Sequence, residues 1–183
     1  MTAIFTTPIP DDGKDFRWSR ALGGGALVDL GIYPLAWCRY VAGEAFSVED
    51  GVASFGHGVD AAVSATLVYE QGIRASIRTS MLDVPHQALL RIEGSAGWLE
   101  IDNPLVPHLG HRFTISNQYG IHATEIAGPS TYEAQLDAVR GTLVDGAAFP
   151  LPADDFVQSA QAFEKVYAAI GHGARNEPLA TKC

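Results

Sequence analysis

An α+β fold, built from one open, predominantly antiparallel β-sheet with helices packed on one face, is what this chain of 183 residues predicts. Three observations carry that prediction. Residues 26–41 place Leu27, Leu30, Pro34 and Trp37 at spacings of three and four, with Val41 following, which is the stripe of a helix lying on a core. From 47 to 101 the period falls to two, and the turns are shorter than the crossover of about a dozen residues that parallel pairing requires. Two further helical segments, 131–144 and 155–170, then close the chain, so helices flank the strands instead of alternating with them.

Each element has its own signal. Residues 2–7 read as a short strand in need of a neighbour, stopped by the Pro8, Pro10, Asp11, Asp12, Gly13 cluster. The helix at 26–41 ends at Gly43, a C-terminal glycine. Pro34 removes a backbone donor and predicts a kink or division near Tyr33. Strands are expected at 47–55, 62–69, 73–80, 87–93 and 97–101, where Val, Ile, Thr and aromatic residues concentrate between glycine-containing turns. In the clearest hairpin, Glu70, Gln71 and Gly72 join two alternating runs, with Ile73, Ala75 and Ile77 on one side and Arg74, Ser76 and Arg78 on the other. Residues 103–130 are loop-rich, with one possible strand at 112–116. The first closing helix aligns Tyr132, Leu136, Val139 and Leu143; the second starts behind Asp154 and ends before Gly171.

Composition bounds the function. At 47% hydrophobic and 18% charged, with no apolar run near the roughly 20 residues of a bilayer span, the chain reads as a globular protein without a membrane segment. Its opening has neither a basic start nor a long apolar core, so no secretory signal is expected and the cytoplasm is the expected location. A net charge of −9 repels phosphate backbones, which argues against nucleic acid as a partner. Cys38 and Cys183 make no disulfide framework or zinc spacing.

Neither glycine-rich stretch meets the dinucleotide fingerprint. Gly23-Gly24-Gly25 precedes a helix but has Val28 where a third small residue belongs; Gly56-His57-Gly58-Val59-Asp60-Ala61 has the letters but leads into a strand. No cofactor-binding residue is therefore assigned. His108 and His111 have a zinc-like spacing without a third ligand nearby, so no metal site is assigned either. Asp29 and Tyr33 lie four apart, a spacing that turns both toward one face of a helix, and the glycines before them let a small molecule approach the backbone. Two readings stay open for each: Asp29 as a ligand group or as an acid favouring the helix start, Tyr33 as a ligand group or as a core aromatic.

The segment DFRWSRALGGGALVDLGIYPLAWCRYVAG resembles the start of the C-terminal domain of the Gfo/Idh/MocA family of NAD(P)-dependent oxidoreductases: a three-glycine run, an acid, then Gly-x-His or Gly-x-Tyr. The resemblance continues through DAAVSATLVYEQGIRASIRTS, RIEGSAGWLEID and YEAQLDAVRGTLVDGAAFPLPADDFVQSAQAFEKVYAAI. It implies an open sheet like that of the glyceraldehyde-3-phosphate dehydrogenase C-terminal domain, forming homo-oligomers through its exposed face. It also implies reversible hydride transfer between a carbinol carbon and NAD or NADP in the complete enzyme. Asp29 and Tyr33 match the family's acid and its histidine or tyrosine, and so take catalytic roles; Arg17, Trp18, Gly24 and Gly25 are expected at the substrate. No residue here matches the family's nucleotide fingerprint or its Glu-Lys-Pro lysine. The expected organisation is a substrate-binding and oligomerisation domain at 1–174, a tail at 175–183, no Rossmann domain and no cofactor held tightly by this chain alone. The alternative is a stand-alone, non-catalytic module that binds a small molecule or sugar, or only assembles.

Overall fold

The computed structural model describes residues 1–171; the domain limit at 174, the tail at 175–183, His172 and Cys183 lie outside the described residues. The strands are β1 (Thr2–Thr6), β2 (Phe46–Gly56), β3 (Val59–Tyr69), β4 (Arg74–Ser80), β5 (Gln87–Gly94), β6 (Gly97–Asp102), β7 (Arg112–Asn117) and β8 (Gly120–Glu125). They form one sheet in the order β2-β3-β4-β1-β5-β6-β7-β8. β1 runs parallel to β4, and the remaining pairs are antiparallel. The strand that needed a neighbour thus has two, at the centre of the sheet.

The hairpin β3–β4 has the expected register: Ser64 opposes Arg78, Thr66 opposes Ser76 and Val68 opposes Arg74. Between them Ala65, Leu67, Ala75 and Ile77 point the other way and are buried. The false fingerprint at 56–61 is a two-residue hairpin turn, with His57 and Gly58 both at positive φ (52° and 79°), joining β2 to β3.

Helices α1 (Ala26–Asp29), α2 (Ile32–Ala42) and α4 (Asp155–Ala169) pack on the buried face, while α3 (Thr131–Asp145) does not. Leu27, Leu35, Cys38, Ala162, Val166 and Tyr167 meet Ala3, Val63, Leu67 and Ile77 in one core cluster. Arg39, its side chain 3% exposed, ties α2 to α4 through Asp155 (3.0 Å) and Ser159 (2.6 Å), and also binds Glu44. No single helix among the described residues is long and apolar enough to cross a membrane.

Three expectations need correction. The helix divides at Leu30–Gly31, not near Tyr33, and the axis turns by 47° between 20–29 and Ile32–Ala42. Pro34 falls in the first turn of α2, where a backbone donor has no intrahelical partner to lose. At Gly31 a Cβ would lie 2.6 Å from the Leu27 carbonyl oxygen, so only glycine fits the bend. β8 lies within the region read as loop; all six of its residues are exposed, and it is held by its ladder with β7. Finally, α3 buries none of its residues: its stripe of Tyr132 (75% exposed), Leu136 (68%) and Leu143 (79%) faces outward.

Candidate functional site

The end of β1, the loop that follows it, a 3-10 turn at Phe16–Trp18 and the break between α1 and α2 surround an open cleft of about 380 Å³. That volume suits a small molecule. Phe5 and Ile9 give it an apolar wall; Asp15, Arg17, Asp29 and Tyr33 supply its polar groups.

The polar groups are built in sequence. Asp15 caps the turn by accepting the Arg17 backbone N–H at 2.9 Å. The Arg17 guanidinium then donates from Nε to Asp29 Oδ2 at 2.6 Å and from Nη1 to both Asp15 oxygens at 3.2 and 3.3 Å. The hydrogen bond to Asp29 is the largest influence raising the Arg17 pKa above its ordinary value. No described residue donates to Asp29 Oδ1. Tyr33 stands across from this pair, 40% exposed, with its ring edge-to-face on Phe5 at 5.3 Å. Partial burial, then the proximity of Tyr132 and Asp29, push its phenol above the ordinary value, so it is a neutral hydrogen-bond donor at pH 7.

The glycine run serves this arrangement indirectly. Gly24 and Gly25, expected against a ligand, are buried against the backbone of the turn instead: a Cβ at Gly24 would sit 2.2 Å from the Arg17 carbonyl oxygen, and Gly25 donates to that same oxygen at 2.9 Å. They bring α1, and hence Asp29, to Arg17. Trp18, also expected at the substrate, is 8% exposed and packs beneath the cleft, donating from its indole to the Ile9 carbonyl at 3.3 Å. It supports the wall without lining it.

Two acids escaped sequence reasoning. Asp15 has the signature of a cap two residues before Arg17, a weak signal in a loop. Asp60, 1% exposed, accepts the Leu27 N–H at 2.6 Å and the Tyr167 hydroxyl at 3.2 Å. It caps α1 from β3, because the N-cap residue Gly25 has no side chain to do so.

The same capping bears on the glycine run as a dinucleotide fingerprint. A carboxylate already occupies the start of α1, and the sheet's parallel pair β1–β4 is not a strand-helix-strand unit with a glycine fingerprint between its strands. The start of α1 therefore lacks the open N–H groups and the strand-helix-strand setting of a dinucleotide fingerprint. Among the described residues no three His, Cys, Asp or Glu side chains gather as a metal site; His111 instead contacts the Asn103 carbonyl at 3.2 Å. A groove of about 490 Å³ near the end of α4 offers Lys165, but that ammonium lies 4.4 Å over the Phe46 ring and donates to the Phe46 carbonyl.

Fold and cleft together define an α+β domain with one mostly antiparallel sheet and an open cleft beside the α1–α2 break. The chain belongs to the Gfo/Idh/MocA oxidoreductases: the model of the GFO/IDH/MocA C-terminal domain matches residues 1–100. A dTDP-3,4-didehydro-2,6-dideoxy-alpha-D-glucose 3-reductase of Streptomyces violaceoruber is 35% identical over 115 residues, 61% of this chain and 33% of that protein. A D-xylose 1-dehydrogenase (NADP(+)) of Haloferax volcanii is 25% identical over 182 residues, 97% of this chain and 55% of that protein. Among solved structures, the aldose-aldose oxidoreductase of Caulobacter crescentus complexed with glycerol superposes with a TM-score of 0.81 at 25% identity, covering 94% of this chain and 53% of that one. A 3-ketoreductase of Actinomadura kijaniata, solved with NADP and TDP-benzene, shares the fold at a TM-score of 0.73 and 22% identity, covering 95% of this chain and 53% of that one. The chain thus spans between 33% and 55% of the length of these relatives.

Proposed function

We propose that this chain is the substrate-binding and oligomerisation domain of an NAD(P)-dependent oxidoreductase acting on a sugar, polyol or related carbinol. One observation carries the reading: the Asp29 carboxylate and the Tyr33 hydroxyl line a single open cleft of sugar-accommodating size. Asp29, fixed through Oδ2 by Arg17, offers Oδ1 to a substrate hydroxyl; Tyr33 donates to the same or the adjacent substrate oxygen. Phe5 and Ile9 cover the apolar face of a sugar ring. The relatives named for sugar substrates and for NADP support this reading.

The exposed sheet face is the proposed subunit contact. It alternates small polar groups with Arg74 and Arg78, and Arg74 is paired with Glu49. Such a mixed face suits association.

Amide chemical-shift mapping of the chain during titration with D-xylose tests the binding role. Perturbations centred on Arg17, Asp29 and Tyr33 are expected. Shifts confined to another surface, or none up to about 100 mM, the upper end of weak binding, would remove the cleft from consideration. Saturable binding of NADH to the chain, followed by fluorescence, would contradict the absence of its own nucleotide site.

A further inference from the structure

We propose that a second cavity, on the other side of the sheet from the cleft, binds a short-chain monocarboxylate through Arg78. It encloses about 340 Å³ at one end of the exposed face, where β3, β4, β1 and β5 lie side by side. Register fixes its floor: Ser64 opposes Arg78, Ala62 opposes Ser80, and Thr6 lies between Ser80 and Gln87. Leu82, Val84 and Pro85, in the turn after β4, form its roof. The Thr6 hydroxyl donates to the Pro85 carbonyl at 2.8 Å and the Leu82 N–H donates to Ser80 Oγ at 3.1 Å, so the roof is tied to the floor. The cavity is preformed, and it stands apart from the sugar reading of the cleft.

Charge and donor supply select the ligand. Arg74 and Arg91, on the same face, are neutralised by Glu49 and by Glu93 and Glu100. Arg78 makes no ion pair among the described residues; it donates only to the Gln87 side-chain oxygen, at 3.2 Å, and no acid lines the cavity. The lining is rich in unspent donors: Nε and Nη1 of Arg78, the amide NH2 of Gln87, and the hydroxyl hydrogens of Ser64 and Ser80. A carboxylate accepts from such groups and takes the guanidinium fork in two hydrogen bonds. A neutral sugar instead needs acceptors of the kind that Asp29 supplies in the cleft and no acid supplies here. One arginine balances one negative charge, which favours a monocarboxylate over a phosphate dianion. Leu82, Val84 and Pro85 give an apolar wall for a hydrocarbon tail of a few carbons.

The test is amide-shift titration of the chain with butyrate, 1-butanol and inorganic phosphate at constant ionic strength, repeated with Arg78→Gln. The cavity opens at the strand ends of the face proposed as the subunit contact, so the titrations are run where sedimentation velocity shows a single species. The expected result is that butyrate shifts the Ser64, Arg78 and Gln87 amides saturably in the millimolar range and leaves Arg17, Asp29 and Tyr33 unmoved, with 1-butanol and phosphate each weaker by about threefold or more. Arg78→Gln should weaken butyrate by about tenfold. Should that variant fail to fold, butyrate against 1-butanol on the unaltered chain decides. An equal response to 1-butanol, phosphate binding tighter than butyrate, undiminished binding in Arg78→Gln, or no shift up to about 100 mM would overturn the carboxylate site while leaving the sugar cleft standing. Butyrate shifts centred on Arg17, Asp29 and Tyr33 would overturn it as well.

Discussion

Replacing Gly24 with alanine should damage both stability and the cleft, although Gly24 does not line it. The new Cβ would lie 2.2 Å from the Arg17 carbonyl oxygen, 2.6 Å from its carbon and 2.7 Å from the Phe16 carbonyl oxygen. All three are backbone atoms, so no side chain can rotate away. Reaching ordinary contact requires the two strands of backbone to separate by about 1 Å, and overpacking of that kind costs about 1–3 kcal/mol. The separation also stretches the hydrogen bonds from Gly24 to the Ser19 carbonyl (2.8 Å) and from Gly25 to the Arg17 carbonyl (2.9 Å), at about 1 kcal/mol each. A total of about 3–5 kcal/mol lowers the Tm of a domain this size by about 6–20 °C. Calorimetry of Gly24→Ala measures that fall, and amide shifts at Arg17 and Asp29 report the loosened pair. Gly23→Ala is the control: among the described residues its Cβ meets nothing within 4 Å, and its φ of +81° is unfavourable for a side chain, so the fall should be about 1 kcal/mol. A Gly24→Ala protein as stable as the parent, with unmoved Arg17 and Asp29 signals, would refute the account of the glycine run.

Asp60→Ala removes the acceptor of the buried Leu27 N–H and of the Tyr167 hydroxyl and should destabilise by about 3 kcal/mol in urea unfolding, with α1 losing hydrogen-exchange protection. Arg39→Ala removes a buried cation from Glu44, Asp155 and Ser159; with those partners able to reach water the expected loss is about 2 kcal/mol, and exchange in α4 should quicken before exchange in β3 and β4. Burial pushes the Cys38 thiol from about 9.0 up to about 12, so peptide mass spectrometry should find Cys38 unmodified by iodoacetamide at pH 8 in the folded chain and modified in urea. Because the folded value is the higher one, this thiol's contribution to stability is intact below pH 9 and is lost as pH rises toward 12, which unfolding curves across that range will show.

The sheet was readable because alternation is local. Leu67, Ala75 and Ile77 declare their face by position alone, and the register of β3 with β4 follows from a turn of fixed length. β8 was not readable: each of its residues is exposed, so no burial pattern marked it. The α3 stripe shows the converse limit. Tyr132, Leu136, Val139 and Leu143 correctly announce a helix, but periodicity carries no information about what a stripe faces, and here it faces outward. The Pro34 expectation misplaced the break because a proline's effect depends on where the helix starts, and Gly31 sets that start.

By itself the sequence determined the class of fold, the strand-rich middle, the family resemblance and the candidacy of Asp29 and Tyr33, since these depend on periodicity and on motifs confined to a few neighbouring residues. Tertiary structure alone decided that Gly24 and Gly25 pack against the Arg17 backbone, that Trp18 lies beneath the cleft, that Asp15 binds Arg17 and that Asp60 caps α1. Those outcomes rest on which atoms come within about 3 Å of one another across distant segments. Distances of that kind are fixed only when the sheet order and the helix bend have brought the segments together.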